Sequence, residues 1–140
     1  MRPAAATALA FAALALSGCG QLDLSPEGDP SRVLVGRVEL SDGAVLPNDA
    51  TLTVRVVDKS SIGMPPQVLG SQTVRNPGGG APIEFRVEYR AEDDVLRRGL
   101  NIEARVSYGG KVRYYNQNGY AVTLGNASDI HRIGVQPAGQ

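Results

Sequence analysis

Cys19 is the residue whose position points most directly to a chemical reaction. It ends the tetrapeptide Leu-Ser-Gly-Cys, behind an apolar run from Ala4 to Leu16 that follows a single positive charge, Arg2. The run covers about 13 residues, whereas a bilayer-spanning helix needs roughly 20, so it is typical of a signal peptide. A thiol can accept diacylglycerol, and small residues before it give a peptidase access to the preceding bond. The pattern is a bacterial lipobox, so we expect residues 1–18 to be a lipoprotein signal peptide and Cys19 to be lipidated.

Cys19 is also the only cysteine in the 140 residues. An exported protein with one cysteine forms no internal disulfide, and acylation accounts for the odd thiol. Gly20 follows the cysteine, where an aspartate would commonly signal retention in the inner membrane of enteric bacteria. We therefore expect a periplasm-facing lipoprotein of the outer membrane. The lipid on Cys19 serves as its membrane anchor, and no cofactor is expected.

The charge of the chain narrows the classes of partner. The full sequence has 14 basic and 14 acidic side chains. Removal of residues 1–18 takes away one arginine, which leaves the mature chain with a net charge of about one negative and no block of like charges. This balance argues against a protein that binds nucleic acid and against a polybasic membrane patch.

Few groups in the sequence could carry out catalysis. His131 is the only histidine and lies beside Arg132 in a predicted C-terminal strand. A hydrolytic triad needs a base close to a nucleophile, so we interpret His131 as a solvated or edge histidine. The acidic run 92–94 lacks the alternating oxygen ligands and the glycine of a calcium loop. The sequence therefore predicts neither an enzyme nor a metal site.

The rest of the chain divides into a tether and a domain. Residues 19–31 contain two prolines and three acids without a sustained period, which indicates a lipidated, flexible linker. From residue 32 to 137, apolar and polar residues alternate with a period of two. Ile83, Phe85, Val87 and Tyr89 alternate with charged residues, as expected of a strand with one face in the core and the other in water.

The same alternation recurs along the domain and predicts its fold class. Leu34, Val38 and Leu40 indicate an earlier strand, with Gly36 as a bulge or a point of close approach. Other strands are predicted around residues 51–57, 68–74, 101–107, 112–116, 120–124 and 130–135, and one or two helical turns at 91–98 before a capping Gly99. Turn-forming residues separate these segments. The pattern predicts an all-β domain, a single β-sandwich of seven to eight mostly antiparallel strands.

Short motifs in the domain also recur in the order seen in a known family. They are Gly36-x-Val38, Ala44-Val45-Leu46-Pro47-x-x-Ala50-x-Leu52-x-Val54-Arg55-x-x-Asp58-x-Ser60, Gly70-x-Gln72, Pro82-Ile83-x-Phe85, Tyr89, Ala104-Arg105-Val106, Gly110-Lys111 and Asn116. Behind a lipobox, this set resembles the YbaY and YscW family of small Gram-negative lipoproteins. The match covers about residues 33 to 135.

The resemblance carries expectations about fold and function. It implies an all-β sandwich. Some members of the family are pilotins, lipid-anchored chaperones that bind a secretin subunit and carry it to the outer membrane. The sequence departs from the usual family pattern at residues 61–66, Ser-Ile-Gly-Met-Pro-Pro, where a loop similar to Asp-Ala-Pro is common.

A cluster of tyrosines suggests where a partner could bind. Tyr114 and Tyr115 are adjacent in a predicted strand, so they point to opposite faces and one of them is exposed. A three-residue loop ending at Gly110 would pair Val106 with Val112 and Ala104 with Tyr114 inside, and Glu103 with Tyr115 outside. Arg105 would lie opposite Arg113. If the protein binds a ligand, we expect it on this mixed aromatic and basic surface of Tyr115, Arg113 and Arg105, with Tyr115 as the anchor, or at the nearest sheet edge.

Three classes of function remain compatible with the sequence. The first is a non-catalytic binding module of the outer membrane, a pilotin-like chaperone for an outer-membrane protein. The second is a module that binds a glycan or an external protein, as a lysozyme inhibitor does. The third is an envelope lipoprotein with a structural or maintenance role.

Overall fold

The computed structural model describes residues 31–78 and 82–139. Within these residues the chain forms eight strands and one short helix. The elements are β1 (Ser31–Leu40), β2 (Thr51–Asp58), β3 (Gln67–Arg75), β4 (Ile83–Arg90), α1 (Asp93–Arg98), β5 (Leu100–Tyr108), β6 (Lys111–Tyr115), β7 (Ala121–Val122) and β8 (Ile130–Pro137). The predicted all-β class is confirmed. The predicted signal peptide, Cys19 and the tether up to residue 30 lie outside the described residues.

The strands form one mixed sheet in the order β3-β2-β5-β6-β8-β1-β4, and β7 pairs with β5. All pairs are antiparallel except β1 with β8, where Val35 lies beside Ile130. The sheet curls until its two end strands approach each other. There the Gln72 side-chain oxygen accepts a hydrogen bond from the Arg86 backbone N–H at 2.6 Å. The domain is therefore a nearly closed barrel.

The inward positions of the strands form a single hydrophobic core. In β4 the burial alternates without exception: Phe85 and Val87 are buried, whereas Glu84, Arg86 and Glu88 are exposed. The same parity is buried in β2 and β5, at Leu52, Val54, Val56, Ile102, Ala104 and Val106. Removal of this apolar surface from water is the main stabilising contribution.

Gly36 is a point of close approach, as predicted. A Cβ atom at this position would lie 2.4 Å from the His131 carbonyl oxygen and 2.8 Å from Cζ of Phe85. Both distances are shorter than any side-chain contact allows. The absence of a side chain at Gly36 thus permits the parallel pairing of β1 with β8 while Phe85 occupies the core beneath it.

The predicted helical turn is present as α1. Gly99 caps its C-terminus with a φ of 93°, and its N–H donates to the Val95 and Leu96 carbonyls. Asp93 does not pair within the helix; it accepts a hydrogen bond from Arg32 of β1 at 2.5 Å. This ion pair joins the helix to the first strand.

His131 is buried, so its interpretation as a solvated or edge histidine is wrong. Its side chain is 1% exposed and shares the inward parity of Ile133 and Val135 in β8. Nδ1 lies 2.8 Å from the Tyr120 hydroxyl, which supplies the partner that a buried polar group requires. Burial lowers the pKa of His131 below its ordinary value of 6.5, against a smaller opposing influence of Asp129. His131 is therefore a neutral core residue.

Candidate binding groove

The hairpin between β5 and β6 differs from the predicted one. Tyr108 pairs with Lys111 across a two-residue turn, Gly109-Gly110, whose φ angles are 62° and 78°. Two consecutive residues with positive φ match the twist of the flanking strands, and glycine adopts these angles at little cost. The predicted three-residue loop is therefore wrong.

A β-bulge restores the inward and outward pattern beyond this turn. Ser107 pairs with Val112 and Val106 with Tyr114, so Arg113 is the extra residue of β6. As a result Tyr114 is buried at 5% exposure and Tyr115 is 41% exposed, as predicted. All four predicted pairings are wrong: Val106 with Val112, Ala104 with Tyr114, Glu103 with Tyr115 and Arg105 with Arg113.

The bulge also changes the neighbours of the predicted binding residues. Arg105 pairs with Tyr115, not with Arg113, and Val112, predicted to lie inside, is 42% exposed. Glu103 has no direct partner in β6. The outward face thus places Arg105 and Tyr115 side by side, which brings together two of the three predicted surface residues.

Arg113 is directed away from this pair. Its Nε donates to the Tyr108 carbonyl at 3.1 Å, and its guanidinium lies 5.0 Å from the centre of the Tyr108 ring. These are a backbone hydrogen bond and a cation–π contact. Arg113 therefore supports the hairpin turn and does not line the groove described next.

Asn116 marks the point where β6 leaves β5. Its side-chain Nδ2 donates to the Ile102 carbonyl at 2.7 Å, and its Oδ1 accepts from the Ala104 N–H at 3.0 Å. The amide side chain therefore replaces the backbone of the missing strand residue. The chain then turns at Gly119 and returns as Tyr120, whose carbonyl accepts from the Ile102 N–H at 2.8 Å.

The end of the β5–β6 pairing at Asn116 opens a groove on the outer face of the sheet. Its volume is about 480 Å³. The floor is β5, one wall is Tyr115 and the turn 116–119, and Lys59 at the end of β2 forms the other side. The lining residues are Lys59, Asn101, Ile102, Glu103, Arg105, Tyr115, Asn116, Gln117, Asn118 and Gly119.

Glu103 is surrounded by three cations, of which Lys59 and Arg105 line the groove. Its carboxylate lies 2.5 Å from Arg55, 3.7 Å from Lys59 and 3.9 Å from Arg105. Burial by itself would raise the pKa of Glu103, but the hydrogen bond from Arg55 and the charges of all three cations outweigh it and lower the pKa. Glu103 is therefore ionised at neutral pH.

The chemistry of the groove suits binding rather than catalysis. It offers carboxamides, two half-exposed cations and a phenol ring, groups that fix the orientation of a polar ligand. Among residues 31–78 and 82–139, no three histidine, cysteine or carboxylate side chains cluster as a metal site would require. Over the same residues, no helix is long and apolar enough to cross a membrane.

Several groove residues were not predicted as site residues. Lys59, Asn101, Gln117 and Asn118 come from three separate segments of the chain, so no local pattern could combine them. Asn116 is the exception, because it belongs to the motif order that resembles the YbaY and YscW family. The family motif at Asn116 was therefore the one feature of the sequence that could have indicated the groove.

Comparison with protein families shows what the chain is related to. Residues 29–134 match the model of a family described as "Type III secretion system lipoprotein chaperone (YscW)". The chain belongs to the YscW family. The match spans nearly all of the barrel, so the family resemblance suggested by the sequence motifs is confirmed.

A solved structure has the same fold as this YscW-family domain. It is an alternative pilotin from the type II secretion system of Vibrio cholerae, with 23% sequence identity and a TM-score of 0.66. The similarity covers 79% of this chain and 99% of that chain. Among curated proteins, no sequence matches this chain.

Proposed function

We propose that this protein is a lipid-anchored, pilotin-like chaperone that binds a segment of an outer-membrane secretin and accompanies it to the outer membrane. The observation that carries the proposal is the YscW family match over residues 29–134. The fold shared with a pilotin from a type II secretion system supports it. The role is one of binding, without catalysis.

The domain supplies a suitable surface for such a partner. The groove beside Tyr115 is open to solvent, and its floor is held by the side-chain amide of Asn116. A rigid floor limits the entropy lost when a flexible segment binds. The exposed Tyr115 ring offers apolar area with few rotatable bonds, a property of residues that anchor interfaces.

The lipid on Cys19 supplies the second half of the proposed role. A single acyl chain holds a protein to a membrane only weakly, whereas the two or three chains of a mature lipoprotein hold it firmly. Delivery of a bound secretin would then follow the sorting of the lipoprotein itself. Binding and delivery are thus separate properties, located in the barrel and at Cys19.

The experiment that tests this proposal separates the two properties. The full-length protein and its Cys19→Ser variant are each produced with the secretin encoded in the same genome. We expect both proteins to co-purify with the secretin. Only the lipidated form should increase the amount of secretin multimer in outer-membrane fractions.

Two results would contradict the proposal. If neither form captures the secretin, the protein has no pilotin-like partner. If the Cys19→Ser variant delivers the secretin as well as the unaltered protein does, delivery does not depend on the lipid anchor.

A further inference from the structure

We infer that the groove recognises an acidic peptide segment, with a carboxylate side chain of the partner bound between Lys59 and Arg105. The inference rests on the proposed function, because the segment is taken to belong to the secretin. It adds the chemical character of the segment and names the two residues that select it.

The first support is that the three cations lie at different distances from the Glu103 carboxylate. Arg55 donates a hydrogen bond to one carboxylate oxygen at 2.5 Å. Lys59 and Arg105 lie at 3.7 Å and 3.9 Å from the same carboxylate, beyond hydrogen-bond distance. Arg55 is therefore engaged, whereas the donors of Lys59 and Arg105 remain available for another acceptor.

The second support is the net charge at the groove. Three cations face one carboxylate, so these four groups together carry two excess positive charges. The two loosely held cations are also the most accessible, since each side chain is 48% exposed. An incoming carboxylate can therefore pair with these accessible cations while Arg55 stays hydrogen-bonded to Glu103.

The third support is the composition of the walls around these cations. The side chains of Asn101 and Asn118 line the groove and make no hydrogen bond to another residue in the described part of the chain. Carboxamides can donate to and accept from a peptide backbone. The groove thus combines cations for an acidic side chain, amides for a main chain and the Tyr115 ring for an apolar neighbour.

The test uses peptides from the secretin as probes. Short overlapping peptides that cover the secretin sequence are immobilised and probed with the purified full-length protein in detergent. The strongest binder is then measured in solution beside a counterpart in which asparagine and glutamine replace aspartate and glutamate. We expect the bound peptides to be acidic and the neutral counterpart to bind about tenfold more weakly.

A matched pair of variants assigns the effect to the groove. The double variant Lys59→Gln with Arg105→Gln removes the two cations that line it. The control, Lys111→Gln with Arg132→Gln, removes the same two charges from exposed positions outside the groove. We expect the groove variant to bind the acidic peptide about tenfold more weakly and the control to bind it unchanged.

The outcomes distinguish this inference from the proposed function. Equal weakening in both variants, neutral or apolar peptides as the strongest binders, or equal binding of the neutral counterpart would each overturn the inference. If intact secretin is still captured in those cases, the proposed function stands without it. If the unaltered protein captures neither peptide nor intact secretin, both are overturned.

Discussion

The Tyr120 hydroxyl lies 2.8 Å from Nδ1 of His131, and the two rings meet edge to face at 5.3 Å between their centres. This pair places the chain's one histidine inside the barrel. Nε2 of the same ring is buried without a hydrogen-bond partner, and burial disfavours the charged ring more strongly than Asp129 and the Ala127 backbone favour it.

We predict that the stability of the domain falls when the pH drops below about 6.5 because of His131. Burial lowers the folded-state pKa below the ordinary value of 6.5, so the unfolded chain binds the proton more readily. Full stability is present above about 6.5 and is lost as the pH falls toward the folded pKa.

Urea unfolding of the unaltered protein and of His131→Gln, measured from about pH 7.5 to 5.5, tests this prediction. As the pH falls, the free energy of unfolding of the unaltered protein should decrease. That of His131→Gln should stay level. The carboxyl pKa values of Glu103 and Asp58 are both lowered from ordinary values of 4.5 and 3.8, so their own effect begins at lower pH. Parallel curves for the two proteins would contradict the assignment to His131.

Gly36 should tolerate no side chain, whereas Gly134 in the neighbouring strand should tolerate one. A Cβ at Gly36 would lie 2.4 Å from the His131 carbonyl oxygen, while one at Gly134 would lie 3.7 Å from its nearest neighbour. We expect Gly36→Ala to cost about 1–3 kcal/mol or more through overpacking. Gly134→Ala should change stability by less than about 1 kcal/mol. Thermal melts that show equal effects would contradict the close packing of β1 on β8.

Phe85 and Arg86 are adjacent in β4 but should differ sharply in their contribution to stability. Phe85 is 4% exposed in the core, whereas the Arg86 side chain is exposed and pairs with Glu88 at 2.9 Å on the surface. Phe85→Ala should cost roughly 3–5 kcal/mol, and Arg86→Ala less than about 1 kcal/mol. Urea melts of the two variants measure both values, and equal losses would overturn the facing of the strand.

Asn116 should contribute to stability through the two backbone groups it satisfies in β5. Asn116→Ala leaves the Ala104 N–H and the Ile102 carbonyl without their side-chain partner, so we expect a loss of about 1–3 kcal/mol. Asn118→Ala, in the same turn, is the control and should have almost no effect. Faster hydrogen exchange at the Ala104 amide should accompany the loss. Unchanged exchange in Asn116→Ala would show that another group holds the strand.

Cys19 should be the first residue of the mature protein and carry the lipid. Mass spectrometry of the mature N-terminus measures this directly. An intact Met1 or an unmodified Cys19 would contradict the predicted processing. The Cys19→Ser variant should yield an unlipidated protein with an unchanged circular dichroism spectrum, because the predicted tether separates the lipid from the barrel.

The alternation of apolar and polar residues was sufficient to predict the class of the fold and most side-chain directions. Alternation in β4 predicted Phe85 inside and Arg86 outside, and the adjacency of Tyr114 and Tyr115 predicted that only one is buried. Side-chain direction reverses at every strand residue. A strand with one apolar parity therefore reveals its inner face without knowledge of its neighbours.

The register of the β5–β6 hairpin could not be predicted from local sequence. A two-residue turn at Gly109-Gly110 with unbroken pairing would place Val106 opposite Arg113 and mix core and solvent positions on one face, so alternation alone favours a longer loop. The structure keeps the short turn and adds a bulge beside Arg113. A bulge shifts the register by one residue, and its position depends on the packing of Tyr114 beneath it.

Tertiary structure alone decided the groove and the state of His131. Arg55, within β2, and Lys59, directly after it, reach Glu103 only because β2 pairs with β5. The parity of β8 turns His131 inward, and the Tyr120 hydroxyl satisfies it there. Contacts between residues far apart in sequence depend on which strands become neighbours. Alternation along one strand carries no information about that choice, so the lipobox and the strand pattern could be read from the sequence but the binding groove could not.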